Sequence, residues 1–227
     1  MRHAATRPDM PSGVTYRDAI ARCLRADPRA GYVALATLER RDDRADAAPR
    51  ARMVVFEGFA RDRAGGSGAL VFKSSGTSNK VRCAVSDAVE AVWWFERSMA
   101  QFRIRGTMRW RSGRAEEAAD DELEMVRDQT WMRLHEGDKA QFFWSAEDCA
   151  ASGSAVAFAR ARERLAERSA STPPEDFCVG LLTVQEVDAL YLGDCSRETW
   201  TRVSEDKDEW EFRRGYAPPV MSSQNAV

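Results

Sequence analysis

Arg52-Met-Val-Val-Phe-Glu-Gly-Phe59 is followed by Ala64-Gly-Gly-Ser-Gly68 and then by Ala69-Leu-Val-Phe72. A β-rich run, a glycine turn and a second apolar run describe two antiparallel strands joined as a hairpin. The same pattern continues outward in both directions. Upstream lies Tyr32-Val-Ala-Leu-Ala-Thr-Leu38, separated from the hairpin by a polar stretch, Glu39 to Arg50, that reads as a loop. Downstream, the polar turn Ser74-Ser-Gly-Thr-Ser78 leads into a short helix from Lys80 to Val85. Val89-Glu-Ala-Val-Trp-Trp-Phe95 and Gln101-Phe-Arg-Ile-Arg-Gly-Thr-Met-Arg-Trp110 follow as strands, the second with clear alternation. Phe177 to Leu182, Val187 to Leu192, Trp200 to Val203 and Trp210 to Phe212 read as the closing strands.

Helical signals are fewer. Thr15 with Asp18 three residues on forms a capping box, after which Ile20, Cys23 and Leu24 share a face until Pro28 ends the helix. Ala115 to Leu134 is acidic and helical in pattern, and Ala155 to Arg168 carries Arg160, Arg162, Glu163, Arg164 and Glu167 on a solvated face. Close-spaced strands with helices inserted between them predict an α+β, mainly β chain: an antiparallel, barrel-like sheet with peripheral helices, not a parallel βαβ fold. One domain over residues 15–219 is expected, with 1–14 as a flexible leader and 220–227 as a flexible tail.

The chain has 227 residues, with 34 Lys+Arg against 36 Asp+Glu, a formal net charge of -2 and 44% hydrophobic residues. That composition excludes disorder and fibre, and the acidic balance argues against a protein that lives by neutralising nucleic-acid phosphates. Arg103, Arg105, Arg109 and Arg111 form a basic stripe beside Phe102 and Trp110, but the acidic segment with Glu116, Glu117, Asp120, Asp121, Glu122 and Glu124 is expected to neutralise it. No nucleic-acid partner is expected. Nothing approaches the ~18 apolar residues of a membrane span, and Met1 to Pro8 shows no secretory apolar core, so no membrane association is expected and the chain reads as cytoplasmic. Cysteines 23, 83, 149, 178 and 195 are odd in number and scattered without a CxxC pair, as expected of reduced thiols rather than a disulfide frame. With only His3 and His135, no catalytic triad, haem ligand set or metal cluster can be assembled, and no metal is expected.

The order of these runs carries a resemblance. Arg52-x-Val-Val-Phe-x-Gly-Phe59, the Ser78-x-Lys80 turn, Trp93-x-Phe95 with Gln101-Phe-Arg-x-x-Gly106, and Trp131-x-x-Leu134 with Ala140-Gln-Phe-x-Trp144 resemble the pyridoxamine 5'-phosphate oxidase-like FMN-binding split barrels over roughly residues 15–219. The resemblance implies an FMN-binding split β-barrel that forms a homodimer, with each flavin site built by both subunits. It also implies an oxidoreductase in which FMN accepts hydride. Arg52, Ser78 and Lys80 would hold the flavin phosphate with a guanidinium fork, a hydroxyl, an ammonium and helix-end amides. Met53, Val54, Val55, Phe72, Lys73 and Gln101 would meet the ring edge, and Arg202 is the candidate for the family's C-terminal flavin arginine. Each has a plainer reading: a solvated strand-end charge for Arg52, a helix cap for Ser78, an edge-strand contact for Gln101. Trp131 and Trp144 read as packing or interface residues.

The groups that hold the substrate phosphate in the oxidase are poorly matched. Glu57 stands where the family has a lysine, and would repel a phosphate if it pointed into the site. The Tyr, Arg and Ser positions fall on Trp131, His135 and Lys139, and the C-terminal Arg-x-His on Arg197-Glu198-Thr199. His135, Lys139 and Arg197 remain as candidate substrate contacts. Catalytic residues are not identifiable, and the substrate is expected to differ from pyridoxamine 5'-phosphate. The alternative function is a non-enzymatic FMN carrier or regulatory binding protein.

Overall fold

A computed structural model describes residues 15–40, 46–60, 68–114, 120–167, 171–204 and 208–216. The expected leader, the tail, Glu116, Glu117 and most of the glycine turn lie outside the described residues. The elements run α1 Tyr16–Ala26, β1 Tyr32–Glu39, β2 Ala48–Phe59, β3 Leu70–Ser75, α2 Asn79–Arg82, β4 Ala88–Phe95, β5 Ala100–Ser112, α3 Asp121–Arg133, α4 Glu136–Ala140, a 3-10 turn Gln141–Phe143, α5 Ala146–Ala166, β6 Phe177–Tyr191, β7 Ser196–Arg202 and β8 Trp210–Tyr216. Among the described residues no helix is long and apolar enough to cross a membrane.

All strand pairings are antiparallel, in the order β3-β2-β1-β4-β5-β6-β7-β8, and β3 also pairs with β6. That last pairing closes the first six strands into a barrel and leaves β7 and β8 as an extension. The device is the length of β6. Its first half, Phe177–Leu182, closes onto β3, while its second half, Glu186–Tyr191, has turned away to carry β7. The sequence reading divided β6 in two at the polar Thr183 to Glu186. The strand is continuous, because Gln185 is an extra residue against Arg105/Gly106 and the kink absorbs the polar interruption.

The barrel interior follows from period two. On β1, Val33 and Leu35 are buried while Tyr32 points out; on β4, Val89, Ala91, Trp93 and Phe95 are buried and Trp94 points out. Phe56, Trp93, Phe95, Phe102 and Tyr191 form a chain of ring contacts through this core. The predicted capping box is present, with Thr15 and Asp18 satisfying each other's backbone amides, and Tyr16, Ala19, Ile20 and Cys23 seat α1 in the core. A second core lies on the opposite face of β3 and β6, where Val71, Val179 and Leu181 meet Leu123, Val126 and Trp131 of α3 and Leu165 of α5. The role expected of Trp131 as packing is observed: it is fully buried against Phe177.

Several boundaries move. Glu39 and Ala48 to Arg50, read as loop, are strand residues: the β1–β2 ladder continues through them, and the Glu39 side chain finds a partner in Arg52. The short helix after Ser78 spans only Asn79–Arg82, and α3 begins at Asp121, capped by the Asp120 side chain on the Leu123 amide. Helix α5 starts at Ala146, nine residues before the reading placed it: a serine and glycine interruption is carried by surrounding alanines, which have the highest helix propensity. β8 extends to Tyr216.

Candidate functional site

The site is made by a disagreement between two strand ladders. β2 pairs with β1 from Ala48 to Val55, but β3 joins β2 only from Val55↔Lys73 onward. Between Ala48 and Val54, therefore, one edge of β2 has no strand beside it. β3 leaves β2 at Lys73, stays with β6 through Ser75, and turns into α2. Gly58, at φ 121°, sits in the bulge that bends β2 at this junction, a backbone conformation that favours glycine. The result is a split with β2 as one lip and the Ser74–Lys80 turn as the other.

A hollow of about 310 Å³ occupies the split, lined by Glu39, Arg50, Ala51, Arg52, Ser78, Asn79 and Lys80. The three phosphate-binding candidates, Arg52, Ser78 and Lys80, are thus brought to one place. Ser78 begins α2 without capping it; its hydroxyl instead meets the Ser74 hydroxyl at 3.0 Å and accepts from the Lys80 ammonium at 3.2 Å. The plain helix-cap reading of Ser78 is therefore incorrect. With four residues, α2 also has too little length for the helix-end contribution expected of it.

Electrostatically the hollow is short of negative charge. Burial, and then the Arg52 guanidinium, push the Lys80 ammonium below the usual lysine range. The carboxylate at hand, Glu39, is committed to Arg52. Arg52 donates through Nη2 to Glu39, and through Nη1 to Thr37 Oγ1, to the Arg50 carbonyl at 3.0 Å and to the Leu35 carbonyl at 3.4 Å. Arg52 is consequently not the solvated charge of the plainer reading. Fixed donors and an under-neutralised ammonium at an open strand edge suit a phosphate dianion, so the residues present fit the phosphate end of a flavin nucleotide.

The ring-edge candidates divide. Arg52, Met53 and Val54 lie on the open edge, and Val55 and Lys73 mark the point where the split closes. Phe72 is fully buried in the core and is registered with Phe56 on one side and Gly180 on the other. The Lys73 ammonium pairs with Glu57 at 2.7 Å and lies 3.6 Å from Asp138 of α4. Glu57 is accordingly neutralised rather than left to repel an anion. Gln101 lies elsewhere. It pairs with Trp94 and Leu190, Leu190 pairs with Arg197, and this row runs across the outward face of the sheet. Arg202 stands five residues along β7 from Arg197, near Tyr16 of α1.

The substrate candidates are not gathered. His135 caps α4 and is exposed. Lys139 is buried, with its ammonium 5.4 Å from the centre of the Trp131 ring, and Arg197 is held by two 2.7 Å bonds to Asp188. The residues that sequence reasoning missed are Thr37 and Glu39. Their signal was present: in β1 the buried parity of Val33 and Leu35 continues into a threonine and a glutamate, and a buried polar group at a strand end needs a partner.

Comparison with known proteins agrees with this architecture. Residues 14–112 match the family described as pyridoxamine 5'-phosphate oxidase, FMN-binding domain. A pyridoxamine 5'-phosphate oxidase-related, FMN-binding protein from Nostoc punctiforme PCC 73102 superposes with a TM-score of 0.69 at 25% identity, covering 92% of this chain and 99% of that one. PhzG from Burkholderia lata 383, solved with tetrahydrophenazine-1-carboxylic acid, superposes with a TM-score of 0.59 at 18% identity over 88% of each chain. No curated protein matches the sequence. Residues 14–112 are thus similar to the FMN-binding domain of pyridoxamine 5'-phosphate oxidase, and the chain as a whole has the split-barrel fold.

Proposed function

We propose that this protein is an FMN-dependent oxidoreductase that works as a homodimer on a substrate other than pyridoxamine 5'-phosphate. The observation that carries the reading is the convergence of Arg52, Ser78 and Lys80 on one hollow at the open edge of β2. When bound there, FMN would supply hydride acceptance. The protein's own part is to fix the phosphate with Arg52, Ser78 and Lys80 and to lay the ring along the Met53–Val55 edge.

Dimerisation is supported by where Gln101 stands. Arg52 shares the inward parity of Leu35, whereas Gln101 is flanked by the buried Ala100 and Phe102 and faces outward, with β1 and β4 between them. One flavin could meet both residues if a second copy supplied one of them. The outward face of β2, β1 and β4 is apolar, with Tyr32 64% exposed, Met53 59% and Trp94 44%, around a hollow of about 820 Å³. A patch of this kind marks an interaction surface. A cytoplasmic location belongs to the same reading, supported by Cys23, Cys83, Cys178 and Cys195 being free thiols.

A different substrate is supported by the engagement of Lys73 with Glu57, of Lys139 with Trp131 and of Arg197 with Asp188. The same engagement favours the second reading, a non-enzymatic FMN carrier. The test is the absorbance spectrum of the purified protein with and without added FMN, with gel filtration of the loaded form and an assay on pyridoxamine 5'-phosphate. The expected outcome is a yellow dimer with about one FMN per chain, without turnover of that vitamer. A protein that binds no flavin, or a flavin-loaded monomer, overturns the reading; normal turnover overturns the substrate part. Flavin bound without reduction by any amine or alcohol donor would select the carrier.

A further inference from the structure

Resting on the FMN reading, we infer that Glu39 is a positioning residue for the cofactor phosphate: it holds the Arg52 guanidinium in place at the strand end to which the Lys80 helix is also tied. Glu39 is a glutamate with only 4% of its surface exposed, at the last position of β1. Its Oε1 accepts from Arg52 Nη2 and, at 2.7 Å, from the Thr37 hydroxyl, which in turn accepts from Arg52 Nη1. Together with the carbonyls of Leu35 on β1 and Arg50 on β2, these contacts engage both terminal nitrogens. A long arginine side chain loses considerable rotamer freedom when it is fixed by a ligand, so a group that fixes it beforehand lowers the cost of binding.

The backbone of the same strand end reaches the segment that carries the other cation. Glu39 forms an isolated antiparallel bridge to Ala84, flanked by the Arg40 amide on the Cys83 carbonyl at 2.9 Å and the Val85 amide on the Leu38 carbonyl at 3.0 Å. Those residues are the exit of α2, the helix that carries Lys80. One strand end thus braces both sides of the hollow, the Glu39 side chain on β2 and the main chain of Leu38 and Arg40 on the α2 segment. A carboxylate beside a phosphate site would ordinarily compete with the ligand. Here it is buried and already paired with the guanidinium, which offsets its repulsion of an anion.

The experiment measures dissociation constants for FMN and for riboflavin, which lacks the phosphate, by quenching of flavin fluorescence. It uses the full chain, Glu39→Ala, Arg52→Ala and the double variant, with thermal unfolding run on each. Glu39→Ala is expected to weaken FMN by about tenfold, the cost of immobilising a long side chain, and to leave riboflavin within about twofold. The double variant should bind FMN no more weakly than Arg52→Ala alone, since Glu39 acts through Arg52. The inference is overturned if Glu39→Ala binds FMN like the wild type, if FMN and riboflavin weaken equally, or if the two losses multiply. Should Glu39→Ala fail to fold, Thr37→Val carries the test, with an expected loss of about threefold for FMN alone; an unchanged FMN-to-riboflavin ratio overturns it. A wild type that binds FMN while Arg52→Ala binds it equally well defeats the phosphate site itself, which is a separate result from the failure of Glu39.

Discussion

Arg109 and Arg52 are both strand arginines, and the molecule treats them in opposite ways. Arg109, on the outward face of β5, reaches Asp120 at 2.6 Å and Glu122 at 2.8 Å at the start of α3; its neighbour Arg111 meets Glu124 at 2.7 Å, and Arg105 meets Glu186 and Glu90. The acidic helix neutralises Arg109 and Arg111 as expected, and Arg105 is paired by the flanking strands instead. In the β2 split the count differs: Arg52 and Lys80 share one carboxylate, and burial, then the Arg52 charge, push Lys80 down. What separates a structural arginine from a ligand-binding one is therefore not its position in a strand. It is whether the carboxylates gathered with it match the cations: among the residues lining the hollow, Glu39 alone stands against Arg50, Arg52 and Lys80.

Breaking the hollow should have the largest effect. Arg52→Ala is expected to weaken FMN by about 100-fold, or about 2.7 kcal/mol, and to lower the thermal midpoint as well because it leaves the buried Glu39 carboxylate unpaired; an equal FMN affinity in the folded variant would erase the distinction drawn above. Next comes Arg127, an arginine of the opposite kind, 4% exposed and donating to the carbonyls of Phe177 at 2.9 Å and Pro174 at 2.7 Å and to Glu124 at 3.0 Å. Arg127→Ala leaves those buried acceptors unsatisfied and should cost about 2 kcal/mol in denaturant unfolding while sparing FMN affinity.

Lys80 sharpens the contrast through pH. Because its folded pKa is lowered, the unfolded chain holds this proton more tightly than the native protein; Lys80 therefore costs stability at low pH, and the cost fades as pH rises through the folded pKa toward the usual lysine range. A bound phosphate restores the ammonium, so FMN binding takes up a proton and weakens with rising pH on the alkaline side, by at most about tenfold per pH unit. Calorimetry in two buffers of different ionisation enthalpy would measure that uptake. The slope should vanish in Lys80→Met; a slope that persists would assign it to another group. The smallest effect belongs to Arg109→Ala, whose side chain is 44% exposed and whose ion pairs are solvent-screened. A change of about 0.5 kcal/mol or less in stability, and none in flavin binding, is expected. A large loss of FMN there would mean that the stripe also serves the cofactor.

Much of the barrel was legible because a half-buried strand announces itself by alternation. β1, β4 and β5 fall within a residue or two of their reading, and the Thr15/Asp18 capping box was legible as a local motif. Three strand misreadings share one cause. Glu39, Thr183 and Gln185 look like loop residues because they are polar, and what made them strand residues was a partner or a bulge distant in sequence. At the site, Arg52, Ser78 and Lys80 could be picked out by their spacing, whereas Thr37 and Glu39 could not, since their part in it is defined only by the guanidinium they touch.

By itself the sequence determined the strands, the mainly antiparallel class, and the identity of the cations offered to a phosphate, because those depend on local periodicity and residue type. Tertiary structure alone decided that β3 would leave β2 at Lys73, that Arg52 and Lys80 would face one hollow, that Glu57 would be spent on Lys73, and that Gln101 would stand on the other face. Each of these is a pairing between residues remote in the chain. No local pattern encodes such a pairing; it is set by how the ladders close around a common core.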